Sequence, residues 1–134
     1  MKFYTDDIVA IADSSFLVSL FVPHDENHEK AKEKFIKTNE EILIPDIILY
    51  ETLTVINYKL GYAEKKSIFQ KIISNSSFVV EHLTPSELKD TLNSFILSES
   101  KLSFPDVLVL NLATKRKSEI LVFDKNIIKE INIK

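Results

Sequence analysis

The chain has no cysteine, one glycine in 134 residues and no excess of positive charge, and each shortage removes a class of function. Without cysteine there are no disulfides, no thiolate nucleophile and no cysteine-ligated structural zinc. A single glycine, Gly61, cannot build the dinucleotide fingerprint or the phosphate loop, which both need several glycines where backbone approaches phosphate. Rossmann-type cofactor binding and Walker-type nucleotide hydrolysis are excluded, so no nucleotide cofactor is expected. Lys+Arg 17 against Asp+Glu 20 leaves a formal net charge of -3 and a pI near 5.6, opposite to the basic balance of proteins that grip duplex grooves. No apolar run approaches a membrane span, and Met1-Lys2-Phe3-Tyr4-Thr5-Asp6-Asp7 lacks a cationic start followed by a long apolar stretch. The expected location is the cytoplasm, with no membrane partner.

With 45% hydrophobic and 28% charged residues, the chain reads as one globular domain over 1–134. Such a chain buries roughly two-thirds of its unfolded surface, enough for a core. Short apolar runs alternate with longer segments of helical spacing, which predicts an α/β fold around a mostly parallel sheet. The strand candidates are Ile8-Val9-Ala10-Ile11-Ala12, Ile42-Leu43-Ile44, Phe78-Val79-Val80 and Ile120-Leu121-Val122-Phe123, with Ile131-Asn132-Ile133 as a short fifth. Between them, Asp13-Ser14-Ser15 caps a helix that Pro23 ends, and a polar helix runs from about Asn27 to Lys37. A long apolar helix follows Pro45-Asp46 and closes at Gly61, and another runs from Ala63 to about Ile73. Thr84-Pro85-Ser86-Glu87 and Ser103-Phe104-Pro105-Asp106 both have capping-box spacing with proline in the first turn.

Most acids lie on polar faces, so the informative ones are those that interrupt apolar segments. Asp13, Asp46 and Asp124 follow the first, second and fourth strands, which places them at the carboxyl edge of a parallel sheet, where ligand crevices form. Each of them also suits a helix N-cap, and Asp106 suits the third position of a capping box with Ser103. Glu51 caps nothing. It is the only charge from Ile47 to Tyr58, in a helix that looks apolar nearly all round, and an unpaired buried carboxylate costs several kcal/mol or takes up a proton. The only arginine is Arg116, so buried cations to pair with are scarce. If these carboxylates converge, a divalent cation offsets their repulsion, and oxygen-only donors suit Mg²⁺ or Mn²⁺ over Zn²⁺.

These residues resemble the PIN domains, and among them the small VapC-like toxin ribonucleases of toxin-antitoxin pairs. The resemblance spans almost the whole chain. It rests on Ile11-Ala12-Asp13-Ser14-Ser15, Pro45 with Tyr50-Glu51, Phe104-Pro105-Asp106 with Ala113, and Leu121-Val122-Phe123-Asp124-Lys125-Asn126. It implies a three-layer fold with a central sheet of four to five strands flanked by helices. It selects Asp13, Glu51, Asp106 and Asp124 as the catalytic acids and ligands of Mg²⁺ or Mn²⁺, Asp13 and Asp106 foremost, and leaves Asp46 as a cap. It further implies an RNA substrate, a cognate antitoxin and a homodimer. Ser14 is expected to orient Asp13, and Lys125, beside Asp124, is placed to touch a phosphate. Two positions depart from the family pattern. Val122 stands where many relatives carry Thr or Ser, and Asn126 where some carry a further acid. They motivate the alternative of a catalytically weak or inactive binding module of the same fold.

Three other signals carry less. His24-Asp25-Glu26-Asn27-His28 spaces two histidines four apart, but Pro23 makes this a turn and not the helix such a zinc motif requires. Lys115-Arg116-Lys117 ends the Asp106 helix, roughly 15 Å from the acids at 1.5 Å per residue, and suits the negative end of the helix dipole. Asp6-Asp7 suggests a phosphate-accepting receiver domain but precedes the first strand instead of ending it. Most of the nine Phe and four Tyr fall at apolar positions, as core residues do.

Overall fold

The computed structural model describes residues 8–38 and 41–133; Asp6-Asp7 lie outside them. Each strand is followed by helices. The order is β1 (Ile8–Ala12), α1 (Ser14–Phe21), α2 (His28–Lys37), β2 (Glu41–Pro45), α3 (Asp46–Lys59), α4 (Tyr62–Ser74), β3 (Phe78–Glu81), α5 (Pro85–Leu97), α6 (Phe104–Arg116), β4 (Glu119–Leu121) and α7 (Lys125–Ile133). The four described strands form one parallel sheet in the order β3-β2-β1-β4, with Ile11 level with Leu43 on one side and Ile120 on the other. Ile42, Leu43 and Ile44 are all fully buried, although successive side chains of a strand point to opposite faces. Both faces of the sheet are therefore covered by helices, which is the three-layer α/β arrangement expected.

The order reverses at β1. Its next strand in sequence, β2, lies on one side of it and β4 on the other, so the carboxyl end of β1 is a topological switch point where a crevice opens. Asp13 is the next residue, and its N–H donates to the Leu121 carbonyl at 3.0 Å, continuing the β1–β4 pairing one step beyond the strand. Behind the edge, Phe78 is fully buried and meets Phe21 and Phe35 edge-on at 5.8 and 5.9 Å between ring centres. Both capping boxes form: Thr84 with Glu87 starts α5, and Ser103 with Asp106 starts α6.

Five expectations change. Ile131-Asn132-Ile133 belongs to α7 and forms no fifth strand; Ile127 and Ile131, four residues apart, also fit a helix face. β4 stops at Leu121, so Asp124 lies three residues past the strand, and Val122 packs with Leu102, Val107, Leu110 and Ile127 in a small second core. Gly61 does not cap α3: Leu60 does, and Gly61 is the N-cap of α4 with φ -70, a conformation open to any residue. Pro45 takes the N-cap position of α3, which makes Asp46 its first helical residue and not its cap. Lastly, α3 is not apolar all round: Ile48, Leu49, Thr52 and Ile56 are buried, whereas Tyr50, Thr54 and Tyr58 face solvent.

Candidate active site at the carboxyl edge of the sheet

Asp13 is only 2% exposed, an unusual position for an aspartate. It is the N-cap of α1, and its Oδ2 accepts the Ser15 N–H at 3.0 Å and the Ser15 hydroxyl at 2.6 Å. Its Oδ1 is buried with no hydrogen-bond partner in the protein. Burial pushes the carboxyl above its ordinary value of 3.8; the two Ser15 bonds oppose this, and the charges of Asp106 and Glu51 add to the rise. Those two acids therefore share the electrostatic neighbourhood of Asp13.

Each of the other expected acids is held by a local bond. Glu51, half-buried on α3, accepts the Ser14 hydroxyl through Oε1. Asp106 Oδ2 accepts the Ser103 N–H at 3.0 Å inside the capping box of α6. Asp124 Oδ1 accepts the N–H groups of Asn126 at 2.8 Å and Ile127 at 3.4 Å, closing the first turn of α7. Asp13, Asp106 and Asp124 thus all occupy helix N-termini, where a carboxylate is favoured by free N–H groups and the helix dipole.

The serine expected to orient Asp13 is the wrong one of two neighbours. Ser14 serves Glu51, and Ser15 holds Asp13. The Ser15 hydroxyl also accepts the N–H groups of Phe123 at 2.9 Å and Asp124 at 3.1 Å, so one oxygen joins α1, Asp13 and the loop that carries Asp124. Sequence reasoning missed this role. The available signal was that a residue two beyond an Asp N-cap has its backbone N–H, and here its hydroxyl, in reach of the capping carboxylate.

Asp46 stays apart from this group, with Oδ2 2.9 Å from His82 Nδ1. His28 opens α2 with Nδ1 2.9 Å from the Ser19 carbonyl, so the second of the spaced histidines serves the α1–α2 turn. Arg116 makes a fork with Glu81, with Nη1 3.0 Å from Oε2, and Nη2 lies 3.7 Å from the buried Glu87. These contacts, the Glu81 hydrogen bonds first, hold its guanidinium above its ordinary value. The basic run thus ties the end of β3 to the start of α5. Lys125 is exposed at the start of α7, and Lys34 of α2 lies over the Phe123 ring at 5.3 Å.

Among the described residues no three acidic or histidine side chains converge to the spacing of a metal-ligand set. The donor chemistry nonetheless fits a hard divalent cation. A buried carboxylate oxygen lacks a partner, two further carboxylates raise its proton affinity, and every candidate donor is oxygen.

A family model of the PIN domain matches residues 10–134. The chain belongs to the PIN domain family. Among solved structures it is similar to the Mycobacterium tuberculosis toxin VapC20, described as cleaving the sarcin-ricin loop, with TM-score 0.80, 20% identity, and coverage of 90% of this chain and 94% of that one. It is similar to VapBC2 of Rickettsia felis, solved bound to a DNA fragment from its promoter, at TM-score 0.66, 15% identity, 95% of this chain and 93% of that one. A toxin-antitoxin complex from Klebsiella pneumoniae aligns at TM-score 0.61, 19% identity, 83% and 82%. No curated protein sequence matches the chain. At these identities the structural likeness speaks to the fold, and this PIN domain's chemistry rests on its own residues. No helix among the described residues is long and apolar enough to cross a membrane.

Proposed function

We propose that this PIN domain is a divalent-metal-dependent endoribonuclease and the toxin of a toxin-antitoxin pair. The observation that carries the reading is Asp13: a buried aspartate with a bare oxygen at the switch point of the sheet, beside Asp106 and Glu51. Asp13 and Asp106 are the principal candidate ligands, with Glu51 and Asp124 completing the set directly or through water. Bound there, Mg²⁺ or Mn²⁺ supplies an acidified water as nucleophile and positive charge for the departing 3′-oxygen.

The chain's own residues prepare that site. Ser15 fixes the Asp13 carboxylate so that its free oxygen faces away from the serine clamp, and Ser14 fixes Glu51. The N-termini of α1, α6 and α7 bring positive dipole ends to the same edge, which favours anions there. Lys125 is placed to meet an RNA phosphate. Toxin-antitoxin complexes among the structural neighbours favour a protein antitoxin as partner, and a homodimer working in the cytoplasm is part of the same proposal.

A second reading, a non-catalytic binding module, draws on the bonds that occupy Asp106 and Glu51 and on Val122, which packs into the small second core and brings no hydroxyl. Expression in a bacterial host separates the two. The ribonuclease reading expects growth arrest that Asp13→Asn or Asp106→Asn relieves and that co-expression of a neighbouring antitoxin gene suppresses. Arrest by both variants equal to the parent overturns it.

A further inference from the structure

Most of the Phe and Tyr residues fall at apolar positions of the sequence, yet the three described tyrosines are exposed: Tyr50 57%, Tyr58 83% and Tyr62 75%. Tyr50, Thr54 and Tyr58 recur every four residues on α3 and form one solvent-facing stripe, and the exposed Tyr62 opens α4 just past the extended Leu60-Gly61 turn. The stripe begins next to Glu51 and runs roughly 12 Å from Tyr50 to Tyr58 at 1.5 Å per residue. The sequence from its middle onward is cationic. Between residues 54 and 71 there are four lysines, Lys59, Lys65, Lys66 and Lys71, against Glu64 alone, a local balance of +3 in a chain of net charge -3. Lys65 Nζ lies 2.7 Å from Asn57 Oδ1, which seats that ammonium beside the Tyr58 turn.

Exposed aromatic rings within a positive field are how single-stranded nucleic acid is held without sequence readout: bases stack on the rings and phosphates meet the cations. We propose that this face of α3 and α4 is the track that carries single-stranded RNA to the acids, a proposal that rests on the ribonuclease reading and names how its substrate is held. The other large exposed apolar face differs in chemistry. On α5, Leu88, Leu92, Phe95, Ile96 and Leu97 are aliphatic but for one ring, and the nearest cations of α6, Lys115 and Arg116, already face Glu87 at 3.8 and 3.7 Å. The tyrosine stripe starts one residue before Glu51, so the track and one acid of the site share α3.

The test is binding of a fluorescein-labelled oligouridylate of about 12 nucleotides, within the span of such sites, to the full chain in EDTA, read by anisotropy over a range of salt. Tyr58→Ala/Tyr62→Ala is expected to weaken binding at least tenfold with an unchanged melting temperature, and Tyr58→Phe/Tyr62→Phe to restore most of it. Lys59→Gln/Lys65→Gln/Lys66→Gln is expected to lower the slope of log Kd against log salt by about 2, from about 0.7 per neutralised phosphate on single strands. Parental affinity and slope in both sets of variants overturn the track, and they do so equally if the same variants lose a protein partner instead. If the RNA fails to bind the parent chain, the track falls as well. Binding through this face without cleavage when Mn²⁺ is restored upholds the track and overturns the ribonuclease reading.

Discussion

Ser15→Ala is expected to damage this protein more than a half-exposed serine ordinarily would. The hydroxyl donates to Asp13 at 2.6 Å and accepts two backbone N–H groups, from Phe123 and Asp124, at 2.9 and 3.1 Å. A hydrogen bond to a charged group is worth about 1.5–3 kcal/mol and a neutral one about 1 kcal/mol. Water can replace part of this, because Ser15 is not fully buried, and Asp13 keeps the Ser15 backbone N–H. The net loss is therefore about 2–4 kcal/mol, a large share of the roughly 5–15 kcal/mol that holds a domain together. In a two-state domain of this size that corresponds to a fall in melting temperature of about 10 °C. Urea unfolding at constant pH, followed by circular dichroism, measures it, with Ser15→Thr as the variant that keeps the hydroxyl. Nuclease activity should fall further than stability accounts for, since the loop carrying Asp124 is released as well. A Ser15→Ala protein within about 0.5 kcal/mol of the parent, the ordinary range for surface changes, would refute the idea that this hydroxyl joins α1 to the α7 loop.

Further outcomes follow from the same structure. Because burial raises the Asp13 carboxyl, the folded state holds that proton more tightly than the unfolded chain. Its contribution is fully present below the unfolded value of 3.8 and is lost as pH rises through the higher folded value. In EDTA, Asp13→Asn should flatten that part of the stability–pH curve, with urea midpoints from pH 4 to 7 as the measure; parallel curves would contradict it. Gly61→Ser should stabilise by about 0.5–1 kcal/mol, since the N-cap of α4 gains a side-chain acceptor, a Cβ there meets nothing within 4 Å and the unfolded chain loses freedom. A lowered melting temperature would show that Gly61 is needed for its backbone after all. Arg116→Met should cost about 1–3 kcal/mol by leaving the fork partner Glu81 without its cation and the buried Glu87 with Lys115 alone, and Glu81→Gln in the same background should recover part of it, as a double-mutant cycle would read.

The sheet and the helix starts were legible in the sequence because their signals are local and physically distinct. Runs such as Ile42-Leu43-Ile44, short, mostly β-branched and bounded by polar residues and Pro45, suit a strand covered on both faces, and the two capping boxes announce α5 and α6 through the residues that make their bonds. The errors fall where one pattern satisfies two geometries. Ile131-Asn132-Ile133 alternates like a strand, yet α7 uses the wider spacing from Ile127 to Ile131. Gly61 can take a left-handed cap, but here it has an ordinary φ and Leu60 ends α3. The choice between Ser14 and Ser15 could not be made in sequence, because adjacent helix residues point about 100° apart and their partners, Glu51 and the Phe123–Asp124 loop, are set by tertiary packing. The exposed tyrosines escaped for a similar reason: an aromatic at an apolar-looking position is read as core until the packing of α3 shows which stripe faces outward.

If the acids around Asp13 form a metal-dependent ribonuclease site, purified protein cuts RNA only with those acids and a divalent cation both present. The most direct test is cleavage of total cellular RNA by the purified chain, with parent and Asp13→Asn side by side, each with Mg²⁺ or Mn²⁺ and with EDTA. Discrete cleavage products are expected only for the parent with metal. Equal cleavage by folded Asp13→Asn protein, or cleavage by the parent that persists in EDTA, would contradict it.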